Sequence, residues 1–357
     1  MEASLSSSGP YTRPSDPQPA AAESGSGLFR VPRAEDRAVV ALAIGDPAGI
    51  SPELTAKLVA LAEIREVAQV VVVGDSRVFA AGAKVAGVQV EPEAFIDLGH
   101  LDPASIKQGV ASREGGAFAL ANYRYALSML KRGEAQAVCF TPFNKHAMRL
   151  AQPDYDDEIR VTAEALGFDG VASEFNCLEG LWNARVTSHI PLKEVSGALS
   201  TAAILEAIEL TAKALESAGF SPPRIGVAAL NPHAGDGGNF GREEIEIIEP
   251  AVRQARAQGL PVEGPYPADT VFVRAQAGQF NAVVTMYHDQ GQIAMKLLGF
   301  ERGVTLLGGF PFPICTPAHG TAYDIAGRGV ARVGATRAAL LLAAGMVKPA
   351  ERRNRPL

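Results

Sequence analysis

The chain of 357 residues has little of four things, and each scarcity excludes something. It has three cysteines, Cys139, Cys177 and Cys315. They are odd in number and far apart, which excludes a disulfide framework and points to reduced thiols in a cytoplasmic protein. It has no apolar run of membrane-spanning length. The longest near the C-terminus, Ala338 to Val347, falls well short of the roughly 20 residues a spanning helix needs. It has no excess of positive charge: 33 Lys and Arg against 39 Asp and Glu give a net charge of −6. That gives no electrostatic reason to expect nucleic acid or an anionic membrane as a partner. Finally, it has no G-x-G-x-x-G, so a standard Rossmann dinucleotide domain is not supported.

What is present is ordinary in amount and informative in order. Hydrophobic residues make up 47% of the chain, and its length suffices for two domains and a large core. Met1 to Asp36 is rich in Ser, Pro, Gly and Ala, has no period, and is expected to be a disordered N-terminal extension without the apolar core of an export signal. From Ala38 onward, apolar runs of strand length alternate with amphipathic stretches. Strands are expected at Ala38–Ile44, Val70–Gly74, Ala137–Phe140, Ala184–Val186, Ile225–Leu230 and Ala282–Met286. Helices are expected at about Glu53–Ala62, Arg113–Lys131, Ala202–Ala218 and Arg242–Gln258. This alternation predicts an α/β fold with mostly parallel sheet and helices on both faces.

Three of the six histidines follow apolar runs: His189 in Thr187-Ser188-His189, His233 in Asn231-Pro232-His233-Ala234-Gly235, and His288 in Tyr287-His288-Asp289-Gln290-Gly291. Ligands of open α/β sheets bind beyond the carboxyl ends of strands. Three imidazoles there can hold one divalent metal and leave positions open for substrate. A lone histidine after a strand is more often a turn or a satisfied core residue, and the spacing matches no short metal motif. Gly45-Asp46-Pro47-Ala48-Gly49 lies between a strand and a helix, either as a tight turn or as a place where ligand meets backbone amides. The glycine-dense loop from His233 to Gly241 allows close backbone approach to a ligand. Asp269 and Asp289 can orient an imidazole or join the metal shell, or cap a helix. Lys296 is either a snorkelling surface lysine or a group for an anionic substrate and proton transfer. His319 can line the same cleft, whereas His100 and His146 look incidental.

These segments together resemble the 4-hydroxythreonine-4-phosphate dehydrogenase family, including its members acting on terephthalate cis-dihydrodiol. The matching residues are Gly45 to Ile50, Asn231 to Gly235, Phe240 to Ile245, Pro267 to Thr270, Tyr287 to Gly291 and His319 to Ala322, in that order, within about residues 38 to 347. The resemblance implies a two-domain fold similar to isocitrate and isopropylmalate dehydrogenases, with an interdomain cleft. Residues 37–150 plus 303–357 would form the first domain, and 151–302 the second, carrying metal ligands and dimer interface. It also implies a homodimer whose divalent metal is held by His189, His233 and His288, shared across the interface. NAD would bind without the usual glycine fingerprint, and Lys296 would contact substrate. Zinc leads among the metals, with cobalt, manganese or nickel as alternatives.

The chain also departs from the family. Members acting on the phosphorylated threonine carry Gly-His-Thr-Glu, whereas here Glu158 and Ile159 replace the His-Thr pair. Thr305 stands for a substrate asparagine and Ile314 for an arginine. Losing one charged contact in a dry site costs on the order of 1.5–3 kcal/mol. The expected function is therefore an NAD- and metal-dependent dehydrogenase, and oxidative decarboxylase, of a small non-phosphorylated hydroxy acid such as a cis-dihydrodiol carboxylate. Lys296, Asp269 and Asp289 are the expected catalytic groups, and Lys296, Glu158, Ile159, Thr305 and Ile314 the substrate positions. The alternatives are a true 4-hydroxythreonine-4-phosphate dehydrogenase of pyridoxal phosphate biosynthesis, a metallohydrolase using the same histidines, or a non-catalytic homologue.

Overall fold

The computed structural model describes residues 37–348; the expected N-terminal extension, 1–36, lies outside them. Strands β1 (Ala38–Ala43), β2 (Ala68–Gly74), β3 (Ala94–Asp97) and β4 (Ala137–Phe140) come first. There follow β5 (Ser173–Leu178), β6 (Leu181–Arg185), β7 (Ile225–Ala228), β8 (Val262–Tyr266), β9 (Ala282–Thr285), β10 (Val304–Gly308) and β11 (Ile314–Pro317). They join in one sheet in the order β3-β2-β1-β4-β11-β10-β5-β6-β9-β7-β8. The strands of 37–150 and 303–348 adjoin one another, those of 151–302 adjoin one another, and the two sets meet where β10 pairs with β5.

The helices before β5 are α1 (Ser51–Ala60), α2 (Ala62–Val67), α3 (Ser76–Ala86), α4 (Arg113–Lys131), α5 (Lys145–Ala151) and α6 (Glu158–Leu166). After it come α7 (Val195–Ala198), α8 (Thr201–Ser217), α9 (Glu249–Ala257), α10 (Ala268–Gln276), α11 (His288–Gly299) and α12 (Gly334–Met346). No single described helix is long and apolar enough to cross a membrane.

Every residue of β1 is buried, because helices cover both faces of the sheet and an uninterrupted apolar run fits nowhere else. Helix α4 starts where the Ser112 hydroxyl accepts the Gly115 amide, and it buries Leu120, Tyr123, Leu127 and Leu130 along one stripe. A Cβ at Gly116 would lie 2.0 Å from the Ala147 carbonyl, so α4 and α5 touch backbone to backbone.

One expectation holds with exceptions and one fails. The sheet is mostly parallel, but β5–β6, β5–β10 and β10–β11 are antiparallel. The β5–β6 hairpin closes through Glu179-Gly180, with Gly180 at φ 79°, a backbone that favours glycine. The expected helix Arg242–Gln258 is a π-helical turn, Glu244–Ile248, leading into α9. Pro250 at its junction has no N–H to close an α-helical bond to Glu246, and the ladder widens ahead of it.

Candidate metal and substrate site

Parallel pairing of β6 with β9 brings two of the three histidines together. The register sets Arg185 opposite Thr285. Beyond the strand ends the Val186 amide donates to Thr285 (2.9 Å), and the Thr187 amide and hydroxyl both donate to the Met286 carbonyl (3.1 and 2.7 Å). The rings of His189 and His288 consequently lie with centroids 5.7 Å apart. Two imidazoles bound to one ion at tetrahedral angles would place their centroids about 5 Å apart, so the pair fits a divalent metal. The Nδ1 of His288 lies 2.7 Å from Asp289 Oδ1, which leaves Nε2 for a ligand.

Helix α11 begins at His288 and carries His288, Gln292 and Lys296 on one stripe at i, i+4 and i+8. It sits close on the sheet: a Cβ at Gly291 would fall 2.1 Å from Asn183 Oδ1. Gln290 ties the preceding loop, its amide oxygen accepting the Met286 amide and its nitrogen donating to the Ala229 carbonyl, both at 2.7 Å.

His233 stands apart in the single chain. Residues His233 to Gly238 all have positive φ, including His233 (53°), Ala234 (54°) and Asp236 (45°). Each non-glycine residue held there costs about 1–2 kcal/mol. The loop is anchored by the buried Glu244 carboxylate, which accepts the amides of Leu230 (2.9 Å) and Asn231 (2.7 Å) and the Asn231 side chain (3.0 Å). Glu243 accepts from Asn231 (2.7 Å) and Ser196 (2.6 Å), and the Ser196 bond foremost holds its carboxyl below the usual range. The His233 ring packs on Phe240 at 6.2 Å. Among the described residues one chain gathers no group of three His, Cys, Asp or Glu that could hold a metal. Within one chain His189 and His288 are neighbours and His233 is not, because its loop is tied to the π-helical turn and not to the 187–189 segment.

The other expected positions scatter. Lys296 is exposed and borders a small cavity with Asn176, Met295, Val304 and Ala318. Thr305 is half-buried on β10, paired between Asn176 and Thr316. Glu158 opens α6, accepts the Tyr155 hydroxyl at 2.7 Å and lies 3.6 Å from Lys145 Nζ. Ile159 packs against the apolar cluster under α4, and Ile314 is fully buried in it. Those two side chains contribute packing and no polar contact, because an aliphatic group there is drawn to Val138 and Leu307. Asp269 is exposed in the first turn of α10, whose N-cap position is Pro267, so it caps nothing. The ring of His319 bonds its neighbour's carbonyl, Gly320 O, at 3.0 Å.

At the end of β1, Asp46 is buried, accepting the Ala48 amide (2.8 Å) and the Tyr323 hydroxyl (2.5 Å). Burial pushes its carboxyl above the usual range, against the pull of the Tyr323 bond. A Cβ at Gly49 would lie 2.7 Å from the Thr321 carbonyl, so this loop and the His319–Ala322 segment touch. An open cavity of about 280 Å³ lies beside them, lined by Pro47, Gly49, Gln108 and Gly327 among others. A larger one, about 460 Å³, lies at the β10–β11 turn around Phe168, Phe310 and Phe312, and none of the expected site residues lines it.

Sequence reasoning passed over Arg185, Glu174, Asn176, Gln290, Gln292 and Glu244. A charged residue closing an apolar strand was visible at Arg185, but nothing in the sequence shows its partners.

The family model described as pyridoxal phosphate biosynthetic protein PdxA matches residues 66–343. A protein of Rhizobium meliloti (strain 1021) named "Putative 4-hydroxythreonine-4-phosphate dehydrogenase 2" is 60% identical, the match covering 88% of this chain and 94% of that protein. The crystal structure of 4-hydroxythreonine-4-phosphate dehydrogenase from Klebsiella pneumoniae is similar with a TM-score of 0.75 at 33% identity, covering 87% of this chain and 100% of that one. Terephthalate 1,2-cis-dihydrodiol dehydrogenase from Burkholderia xenovorans LB400 is similar with a TM-score of 0.61 at 29% identity, covering 87% and 98%.

Proposed function

The chain belongs to the family of the pyridoxal phosphate biosynthetic protein PdxA and is an oxidoreductase acting on a CH–OH group, and on that footing we propose that it oxidises a small phosphorylated hydroxy acid with NAD and a divalent metal. The expected preference for a non-phosphorylated dihydrodiol acid gives way. The relative at 60% identity carries the name of an enzyme for a phosphorylated substrate, whereas the dihydrodiol enzyme is a more distant neighbour.

The single observation that carries the proposal is the His189–His288 pair, 5.7 Å apart, at the head of the helix that bears Lys296. His189 and His288 of one copy and His233 of a second would hold the ion, zinc first, with cobalt, manganese or nickel as alternatives. An ion held by these residues would supply Lewis-acid chemistry at the substrate hydroxyl, favouring its deprotonation ahead of oxidation by NAD. Asp289 fixes the His288 tautomer through Nδ1. Lys296 binds an anionic substrate group and supplies the proton to carbon if a carboxyl is lost. Asp269 serves as a proton carrier at the same interface. The cavity beside Pro47, Gly49 and Gly327 has room for part of a dinucleotide.

Exposed apolar side chains support a second copy at this place. Leu192 (70% exposed) follows His189, Phe240 (52%) packs on His233, and Leu297 (83%) lies on α11. Grouped about the proposed ligands, such side chains support a surface that a second copy would cover. A cytoplasmic location belongs to the same proposal.

The test is a substrate panel with NAD, with and without added divalent metal. The proposal expects metal-dependent NADH formation from a 4-phosphorylated hydroxy acid, at least about tenfold faster than from its dephosphorylated form, a difference of about 1.4 kcal/mol. NADH formation from a cis-dihydrodiol acid alone, or hydrolysis without NADH, would contradict it.

A further inference from the structure

We propose that Arg185 is a positioning residue that locks His189 and His288 into one geometry, so that the chain's affinity for a divalent metal depends on a guanidinium touching neither ion nor substrate. The proposal rests on the metal reading above and adds the element that holds the two ligands.

Arg185 closes β6, and its side chain is 2% exposed. Its three nitrogens go in three directions. Nε donates to the Ser188 hydroxyl at 2.8 Å, one residue before His189. Nη1 donates to Asn176 Oδ1 at 2.5 Å, and that same oxygen accepts Gln292 Nε2 at 2.7 Å, one helical turn from His288. Nη2 pairs with Glu174 Oε2 at 2.6 Å, which balances the charge. One guanidinium therefore reaches the His189 segment directly and the His288 helix through a single shared oxygen.

The sheet register places these groups together. Asn176 pairs with Asn183 across β5–β6, and Thr305 pairs with Asn176 across β10–β5, so all three share a face. Arg185 is two residues from Asn183 and returns to that face. The network therefore lies on the sheet face that Gly291 of α11 meets at Asn183.

Stability alone does not account for this arrangement. Burial pulls the Arg185 guanidinium below its usual pKa, with Glu174 opposing, so the group is expensive to keep here. Replacing a buried ion pair with apolar side chains is often neutral or stabilising. Lysine could keep the charge but has one nitrogen, which cannot span Ser188, Asn176 and Glu174 together. A planar fork at this position has a use where two ligands on different elements must be held at fixed separation.

Cobalt(II) titration of the full-length protein tests this, read as dissociation constant and as visible absorption band. Three variants are compared with the unsubstituted chain: Arg185→Lys, Gln292→Leu, and the double variant Arg185→Leu/Glu174→Leu, which removes both charges together. The double variant is expected to fold and to bind cobalt about 10–100-fold more weakly, with a shifted band. Arg185→Lys should fall between it and the unsubstituted chain. Gln292→Leu removes no charge and cuts only the link to α11. It should weaken binding by about threefold or more, and it decides the matter if the double variant fails to fold. Folded variants that bind cobalt with unchanged affinity and spectrum would overturn the positioning role while leaving the metal reading intact. Absence of cobalt binding by the unsubstituted chain would overturn both.

Discussion

The region around β1 and the loops leaving β6, β7 and β9 are built differently. Around β1 four helix starts carry side-chain caps, Asp75 on α3, Ser112 on α4, Asn144 on α5 and Asp157 on α6, while α1 and α2 carry none. In the other region Ser200 caps α8 but α7, α9 and α10 have no side-chain cap, and His233, Ala234 and Asp236 sit in left-handed backbone. Ile190, Leu192, Phe240, Ile245, Ile293 and Leu297 are exposed there. Beside β1 one non-glycine residue, Ala322, is left-handed, against three in the second region. The second holds strain and open apolar surface, which cluster where a protein binds something or meets a partner.

Removing the imidazole proposed as a ligand in the strained loop should have the largest effect. His233→Ala is expected to lower turnover by about a thousandfold, several kcal/mol of transition-state stabilisation, with the thermal midpoint nearly unchanged. Activity within a few-fold of the unsubstituted chain would erase the contrast between the regions. Next comes the open surface. Leu297→Glu places a charge on a side chain that is 83% exposed in one chain. For an isolated chain it should be neutral, but beneath a second copy it should weaken self-association by at least about tenfold in sedimentation, from losing a buried leucine and burying a charge.

Near β1 the effects are smaller and purely on stability. Asp75 accepts the Arg77 amide and guanidinium and the Leu101 amide, and the Arg77 bonds foremost hold its carboxyl down at about 2. Because the folded value lies below the unfolded one, this contribution is complete above about pH 4 and is lost as pH falls toward 2. Asp75→Ala should cost about 1 kcal/mol at neutral pH in chemical denaturation, and the gap to the unsubstituted chain should close under acid. Smallest of all, Ala234→Gly relieves a left-handed residue and should stabilise by up to about 1 kcal/mol. A loss of stability there would mean the loop is not strained.

How much of this was legible in the sequence follows the same division. Helix α4 and strand β4 have the bounds their patterns predict, and β1 ends one residue short of its apolar run. Buried apolar runs and a serine cap announce themselves locally. The β5–β6 hairpin was legible only at Ala184–Val186, because Glu174, Asn176, Asn183 and Arg185 interrupt its apolar pattern and find their partners only through the fold, with Asn183 Oδ1 left unpartnered. The π-helical turn was hidden because the 3.6-residue pattern continues through it. The histidines were legible as candidates but their pairing was not: proximity of His189 to His288 depends on the β6–β9 register, which no local signal carries. Ile314 was visible as a missing arginine, whereas its complete burial needed the packing around it.

The central claim is that the site is finished only when His233 of one copy meets His189 and His288 of another. Mixing inactive His189→Ala with inactive His233→Ala, after dissociation and reassociation, tests it directly. If ligands are shared, half of the random dimers are mixed and each has one intact site, so about a quarter of the unsubstituted activity should return. If each site draws all its ligands from one chain, the mixture will stay as inactive as its parts.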